Sequence, residues 1–175
     1  MEHDERRHLH LLRHAKSSWD HPALADHDRP LAARGRRAAD ALADHLLGVA
    51  GPPELVLCSS AARTTETLER IRPGLPDRVE VVVDSRIYHA GTTGMLHLLR
   101  EIVGERQSVM LIGHNPGMHD LACTLTGGGP SDLVDRLFTK YPTGALATFS
   151  FAAPWADLGP ATATLDDFVV PRDLV

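Results

Sequence analysis

Apolar and polar positions follow two rhythms along this chain. Short, nearly continuous apolar runs recur at Leu9–Leu12, Leu55–Cys58, Val79–Val83 and Val109–Ile112. Leu55–Cys58, apolar throughout, fits a strand buried on both faces, as in a parallel sheet. The runs predict strands over His8–Arg13, Leu55–Cys58, Val79–Val83 and Ser108–Gly113. Between the runs, apolar residues return every three or four positions. Leu31, Ala38, Ala39, Leu42, Leu46 and Val49 share one side of the segment 30–49, while Arg34, Arg37, Asp40 and Asp44 take the other. That spacing predicts a helix over Pro30–Val49, with Pro30 in its first turn. Further helices are predicted over Ala61–Arg72, with Ser59 and Ser60 as N-caps, over Thr93–Val103 and over Gly117–Thr126. Gly127–Lys140 reads as a loop with at most a short turn around Leu133–Leu137, and Ala145–Phe151 and Ala163–Val169 read as closing strands.

Strands alternating with helices imply an α/β fold, a three-layer α/β/α sandwich around a mainly parallel sheet. No repeat, low-complexity tract or linker interrupts the 175 residues, so residues 1–175 are expected to form a single domain.

Composition narrows the function. The formal net charge of −5 disfavours a nucleic-acid binder. No apolar run reaches membrane-spanning length, and the mixed-charge start is unlike a signal peptide. Cys58 and Cys123 sit in apolar stretches and read as buried free thiols of a cytoplasmic protein. The 11 histidines show no metal-ligand spacing, so no metal and no cofactor is expected. His3, His8 and His10 lie close to the N-terminus and read as having no specific role.

Three polar clusters follow buried elements in the same way. Arg13-His14 ends the first strand, Arg63 lies in the first turn after Cys58-Ser59-Ser60, and His114 ends the strand over Val109–Gly113. In open α/β sheets, ligands bind at the carboxyl ends of strands, so these clusters should meet at one edge. Two arginines and two histidines there would suit a phosphate dianion. The helix N-terminus beside Arg63 adds backbone N–H groups. An imidazole with one free nitrogen is a competent nucleophile toward phosphorus. The bland readings are a plain strand end for Arg13-His14, an Arg63–Glu66 pair within one helix, and a turn histidine at His114.

The segment Leu11-Leu12-Arg13-His14-Ala15-Lys16-Ser17-Ser18-Trp19 resembles the Arg-His signature of the histidine phosphatase, or phosphoglycerate mutase-like, superfamily. The SixA-type phosphohistidine phosphatases are the most similar branch. Asp28-Arg29-Pro30-Leu31, Arg34-Gly35, Ser59-Ser60-Ala61-Ala62-Arg63-Thr64, Gly113-His114-Asn115-Pro116 and Lys140-Tyr141-Pro142-Thr143-Gly144-Ala145 follow in the family order. The resemblance implies a phosphoglycerate mutase-like fold, His14 as nucleophile, and Arg13, Arg63 and His114 as the phosphate pocket. It also implies a metal-independent hydrolase passing through a phosphohistidine on His14. Many members carry Gly after the histidine, where this chain has Ala15.

A general acid is harder to place. The region where mutase-like members use Glu reads Asp84-Ser85-Arg86-Ile87-Tyr88-His89. Asp20, Asp28, Asp84 and His89 all remain candidates. An alkoxide leaving group needs a proton donor far more than an imidazole does, so a poor acid endowment favours a phosphoramidate. The expected partner is therefore a protein carrying phosphohistidine, with no nucleic acid and no membrane. A small-molecule phosphomonoesterase acting on a sugar phosphate or nucleotide is the alternative. A silent phosphate-binding module is a third reading, and a mutase fits poorly without the acid.

Overall fold

The computed structural model describes residues 5–102 and 106–174. Seven strands form one sheet in the order β3-β2-β4-β1-β6-β7-β5. They are β1 (Arg7–Arg13), β2 (Leu55–Ser59), β3 (Glu80–Asp84), β4 (Ser108–Gly113), β5 (Thr126–Gly128), β6 (Leu146–Phe151) and β7 (Ala163–Val169). The pairs β1–β4, β2–β4, β2–β3 and β5–β7 are parallel, and β6 runs antiparallel to both β1 and β7. The sheet is thus mostly parallel, as expected.

Five helices cover its two faces: α1 (Ala33–Leu46), α2 (Ala62–Ile71), α3 (Thr92–Arg100), α4 (Gly117–Leu125) and α5 (Ser131–Thr139). Alternation along the strands assigns them. Leu9 and Leu11 point into a core built with Met95 and Leu99 of α3, Leu121 of α4 and Leu137 of α5. Leu12, Val56 and Ile112 point the other way, onto Ala39 and Leu42 of α1 and Leu68 and Ile71 of α2. The central strands are buried on both faces.

The structure corrects several local expectations. α1 begins at Ala33, so Pro30 precedes it. Gly127–Lys140 is not a loop, since α5 occupies Ser131–Thr139 and buries Leu137 against α4 and β7. His10 is fully buried, bonded to Thr148 Oγ1 at 3.1 Å and to the Gly51 carbonyl at 2.7 Å. Cys123 is only half-buried. His3 and Val103 lie outside the described residues.

Two glycines set the loop that follows β1. Gly35 brings α1 so close that a Cβ there would stand 2.1 Å from the Lys16 carbonyl oxygen. Gly144 adopts φ +77, a left-handed conformation costly for other residues. There its amide donates to the Arg13 and His14 carbonyls at 3.1 and 2.9 Å.

Candidate active site

Strand register brings the predicted clusters to one edge. Arg13, at the end of β1, pairs with Gly113 at the end of β4. His14 and His114 follow directly, and their rings lie 5.3 Å apart. β2 flanks β4 on the other side and ends at Ser59, whose hydroxyl stands 2.7 Å from His114 Nε2. Arg63, in the first turn of α2, is buried, and burial foremost, with the Arg63 charge adding to it, lowers the pKa of Arg13, His14 and His114. Residues from three distant stretches of the sequence therefore share one electrostatic site.

The His14 tautomer follows from its partner. Nδ1 lies 2.7 Å from the Ala15 carbonyl, which can only accept, so Nδ1 carries the proton. Nε2 keeps its lone pair. Burial pushes the His14 pKa down to about 3, against the Ala15 hydrogen bond and with help from His114, Arg63 and Arg13. The ring is therefore neutral at physiological pH. The Ala15 amide donates to Thr67 Oγ1 at 3.0 Å, which ties this loop to α2.

The donors around it are only partly used. Arg13 gives Nη1 to the Tyr141 carbonyl at 3.0 Å. Arg63 gives Nη1 to the Asp26 carbonyl at 2.8 Å and Nη2 to the Asp26 carboxylate at 3.1 Å. Arg13 Nε, Arg63 Nε and His114 Nδ1 are buried with no partner among the described residues. Each such group costs about 1–3 kcal/mol when buried unpaired. A phosphoryl oxygen among them would accept from the two arginine Nε–H groups. Burial first, then Arg63, lowers the His114 pKa to about 4.

The candidate acids are placed unequally. Asp20 and Asp28 are exposed and touch none of the four residues by hydrogen bond or ion pair. Asp84 accepts from Arg86 through its amide, Nε and Nη2 at 2.9, 3.1 and 2.7 Å, and these bonds hold its carboxyl below the usual range. His89 is exposed and packs its ring 4.1 Å from Tyr88, which in turn meets His114 edge-on at 5.5 Å.

Asp26 is the acid the sequence did not single out. A 3-10 turn over Asp26–Asp28 aims it at Arg63 and Arg29, and the Tyr88 hydroxyl donates to the same carboxylate. The Tyr88 bond, followed by Arg63 and Arg29, holds Asp26 ionised. The N-cap of α2 is Ala61 and not a serine; Ser59 Oγ accepts from the Ala61 amide at 3.5 Å and also meets His114, while Ser60 meets His27 at 2.9 Å. Glu66 does not pair with Arg63 but holds the Leu31 amide at 2.8 Å and Arg36 at 2.6 Å. Arg29 is buried under Trp19, while Trp19 itself is largely exposed. His119 is half-buried and bonds the Leu137 carbonyl at 2.7 Å.

The family model for the histidine phosphatase superfamily (branch 1) matches residues 9–92, a span that carries Arg13, His14 and Arg63. The solved structure of a Nakamurella multipartitia protein assigned as phosphohistidine phosphatase SixA superposes with TM-score 0.82 at 31% identity, over 95% of this chain and 96% of that one. This chain belongs to the histidine phosphatase superfamily. A second protein assigned as SixA, from Agrobacterium tumefaciens, gives TM-score 0.78 at 31% identity, over 94% and 98% of the two chains. An uncharacterized protein of Mycobacterium leprae is 36% identical over 167 residues, covering 92% of this chain and all of the relative. The phosphoglycerate mutase-like fold expected of the superfamily is thereby established, and phosphatase chemistry is supported.

Proposed function

We propose that this chain, as one domain over residues 1–175, is a protein phosphohistidine phosphatase that takes the phosphoryl group onto His14 and passes it to water. One observation carries the reading. His14 presents a neutral Nε2 lone pair, fixed by the Nδ1–H bond to Ala15, beside two arginines with unspent donors.

In the first step His14 Nε2 attacks phosphorus while the bond from phosphorus to the substrate imidazole breaks. A phosphoimidazole protonated on its other nitrogen departs as neutral imidazole, so it asks little of an acid. Arg13 and Arg63 stabilise the charge on the transferring oxygens. In the second step water attacks phosphorus, the His14 ring leaves still holding its Nδ1 proton, and the ionised Asp26 accepts the proton of the water. Asp26, bonded to Arg63, and Asp84, at the end of β3, are both held ionised. An ionised carboxylate has no proton to give a departing alkoxide, and this favours phosphoramidates over alkyl phosphates.

Among the described residues no group of three or more His, Cys, Asp and Glu is arranged to hold a metal ion. The arginines supply the positive charge that a metal would bring, so a chelator should leave turnover unchanged. The decisive experiment is rapid quenching with a labelled phosphohistidine peptide. An acid-labile, alkali-stable phosphoenzyme that His14→Ala abolishes is expected. Faster cleavage of unactivated sugar phosphates than of phosphohistidine would transfer the chain to the small-molecule monoesterases.

A further inference from the structure

A cavity of about 550 Å³ is lined by Lys16, two residues from His14, and by none of Arg13, His14, Arg63 and His114. Five cationic side chains line it, Lys16, Arg34, Arg136, Lys140 and Arg172, against one acid, Asp135. The whole chain carries a net −5, so this is a local reversal of sign. Arg136 is neutralised by Asp173 at 2.7 Å. Among the described residues, Lys16, Arg34, Lys140 and Arg172 form no ion pair and no side-chain hydrogen bond. Four unpaired cations around one opening repel one another, and an anionic occupant relieves that repulsion.

Topology places the cavity on the same edge of the sheet as His14. Lys16 follows the end of β1, and Arg34 opens α1 beside it. Pro142 and Thr143 precede β6, whose antiparallel course starts at that edge, and Val170 to Arg172 follow β7. The wall and the nucleophile share a loop. Tyr141, next to Pro142, holds Arg13 by its carbonyl, and Gly144, next to Thr143, holds the His14 carbonyl by its amide. A substrate whose phosphorylated side chain reached His14 would have its neighbouring groups at this same sheet edge.

We infer that the cavity is a substrate subsite for acidic side chains flanking the phosphohistidine of a protein partner. The apolar floor of Phe168 and Val170 suits the aliphatic stems of Glu residues, while the rim cations meet their carboxylates. Charges of this kind speed encounter and discriminate between partners more than they tighten the final complex. The inference rests on the phosphohistidine reading above.

The test uses the full chain and two synthetic phosphohistidine peptides, one with Asp and Glu around the target and one with Ser and Gln at the same positions. The wild type should favour the acidic peptide in kcat/KM by about tenfold. Arg34→Glu with Arg172→Glu should bring the two peptides to parity through KM. Both residues are exposed, and a Glu at position 34 lies in the first turn of α1, where a carboxylate is favoured. Cleavage of p-nitrophenyl phosphate by the double variant should stay at the wild-type rate, which reports an intact fold. Equal use of both peptides by the wild type, or an unchanged preference in the double variant, overturns the subsite while leaving the reaction standing. Calorimetric binding of ATP that the double variant loses, with peptide preference intact, assigns the cavity to a small polyanion instead. No cleavage of either peptide overturns the phosphohistidine reading itself.

Discussion

Asp26 grips Arg63 twice, by its backbone carbonyl at 2.8 Å and its carboxylate at 3.1 Å. The pair joins a loop residue to the first turn of α2 and leaves Arg63 Nε unspent in the pocket. The carboxylate is about half exposed, with 52% of its side chain accessible, so its attraction to Arg63 is screened by water. In the proposed reaction its value is in aim and in proton transfer.

Asp26→Asn is therefore expected to cost little stability, under about 1 kcal/mol, and much turnover. The amide keeps the backbone contact with Arg63 but cannot accept a proton from water. Hydrolysis of the phosphoenzyme should slow by about 10²-fold or more. Rapid-quench kinetics should then show a phosphorylated His14 that accumulates. A variant that slows phosphoenzyme formation instead would move Asp26 from base to positioning residue.

Tyr88→Phe tests the charge state of the same carboxylate. The Tyr88 hydroxyl is the largest cause of the low Asp26 pKa. Removing it leaves the ring against His114 and His27 but lets the Asp26 pKa rise toward its ordinary value. The acid limb of kcat should move to higher pH, because Asp26 must be ionised to accept the proton. An acid limb that stays in place in a steady-state pH profile would separate Asp26 from that step.

The sequence exposes the frame of this site more readily than its details. Val109–Ile112 and Leu55–Cys58 read as buried strands because every residue is apolar, and the structure buries both. The Arg13-His14, Arg63 and His114 cluster is legible from the strand ends, from the helix start after β2 and from the family motifs. α5 escapes because Gly127-Gly128-Gly129-Pro130 suggests a loop, and only Leu133, Val134 and Leu137 mark its inner face. β5 pairs through the backbone of Thr126 and Gly128 and has no apolar pattern to read. Asp26 stands among Asp20 and Asp28 with nothing in its spacing to separate it; only the 3-10 turn decides which carboxylate faces Arg63. A buried arginine in need of an anion was the available signal. The two serines after β2 look like helix caps, yet the nearby histidines compete for both hydroxyls.

Gly35→Ala should damage fold and site together. The added methyl group would meet the Lys16 carbonyl and amide at 2.1 and 2.9 Å, and both are backbone atoms that cannot rotate away. Overpacking of this kind costs about 1–3 kcal/mol. The Lys16 carbonyl accepts from the Ala32 amide at 2.9 Å, so the shift would reach the loop that carries His14. Thermal unfolding should show a lower Tm, and turnover of p-nitrophenyl phosphate should fall at temperatures where the variant remains folded. A lowered Tm with full turnover would mean that the loop absorbs the strain before His14.

Two buried histidines, His10 and His14, and the half-buried His114 tie stability to pH. Burial lowers His10 and His114 to about 4 and His14 to about 3, each from 6.5. The unfolded chain takes protons on these residues as pH drops through 6.5, while the folded chain resists until about 4 and below. Between those values the unfolded state binds more protons, so stability rises with pH, is complete above 6.5 and drains away as pH falls. Tm should therefore decline steadily from pH 7 to pH 4.5, and His10→Gln should flatten part of the slope. The same depression keeps His14 neutral at pH 5, where the folded enzyme should still form its phosphoenzyme in a single turnover. A loss of phosphoryl transfer centred near pH 6.5 would show that the ring is not held neutral, and with it the assignment of a free Nε2 lone pair would fail.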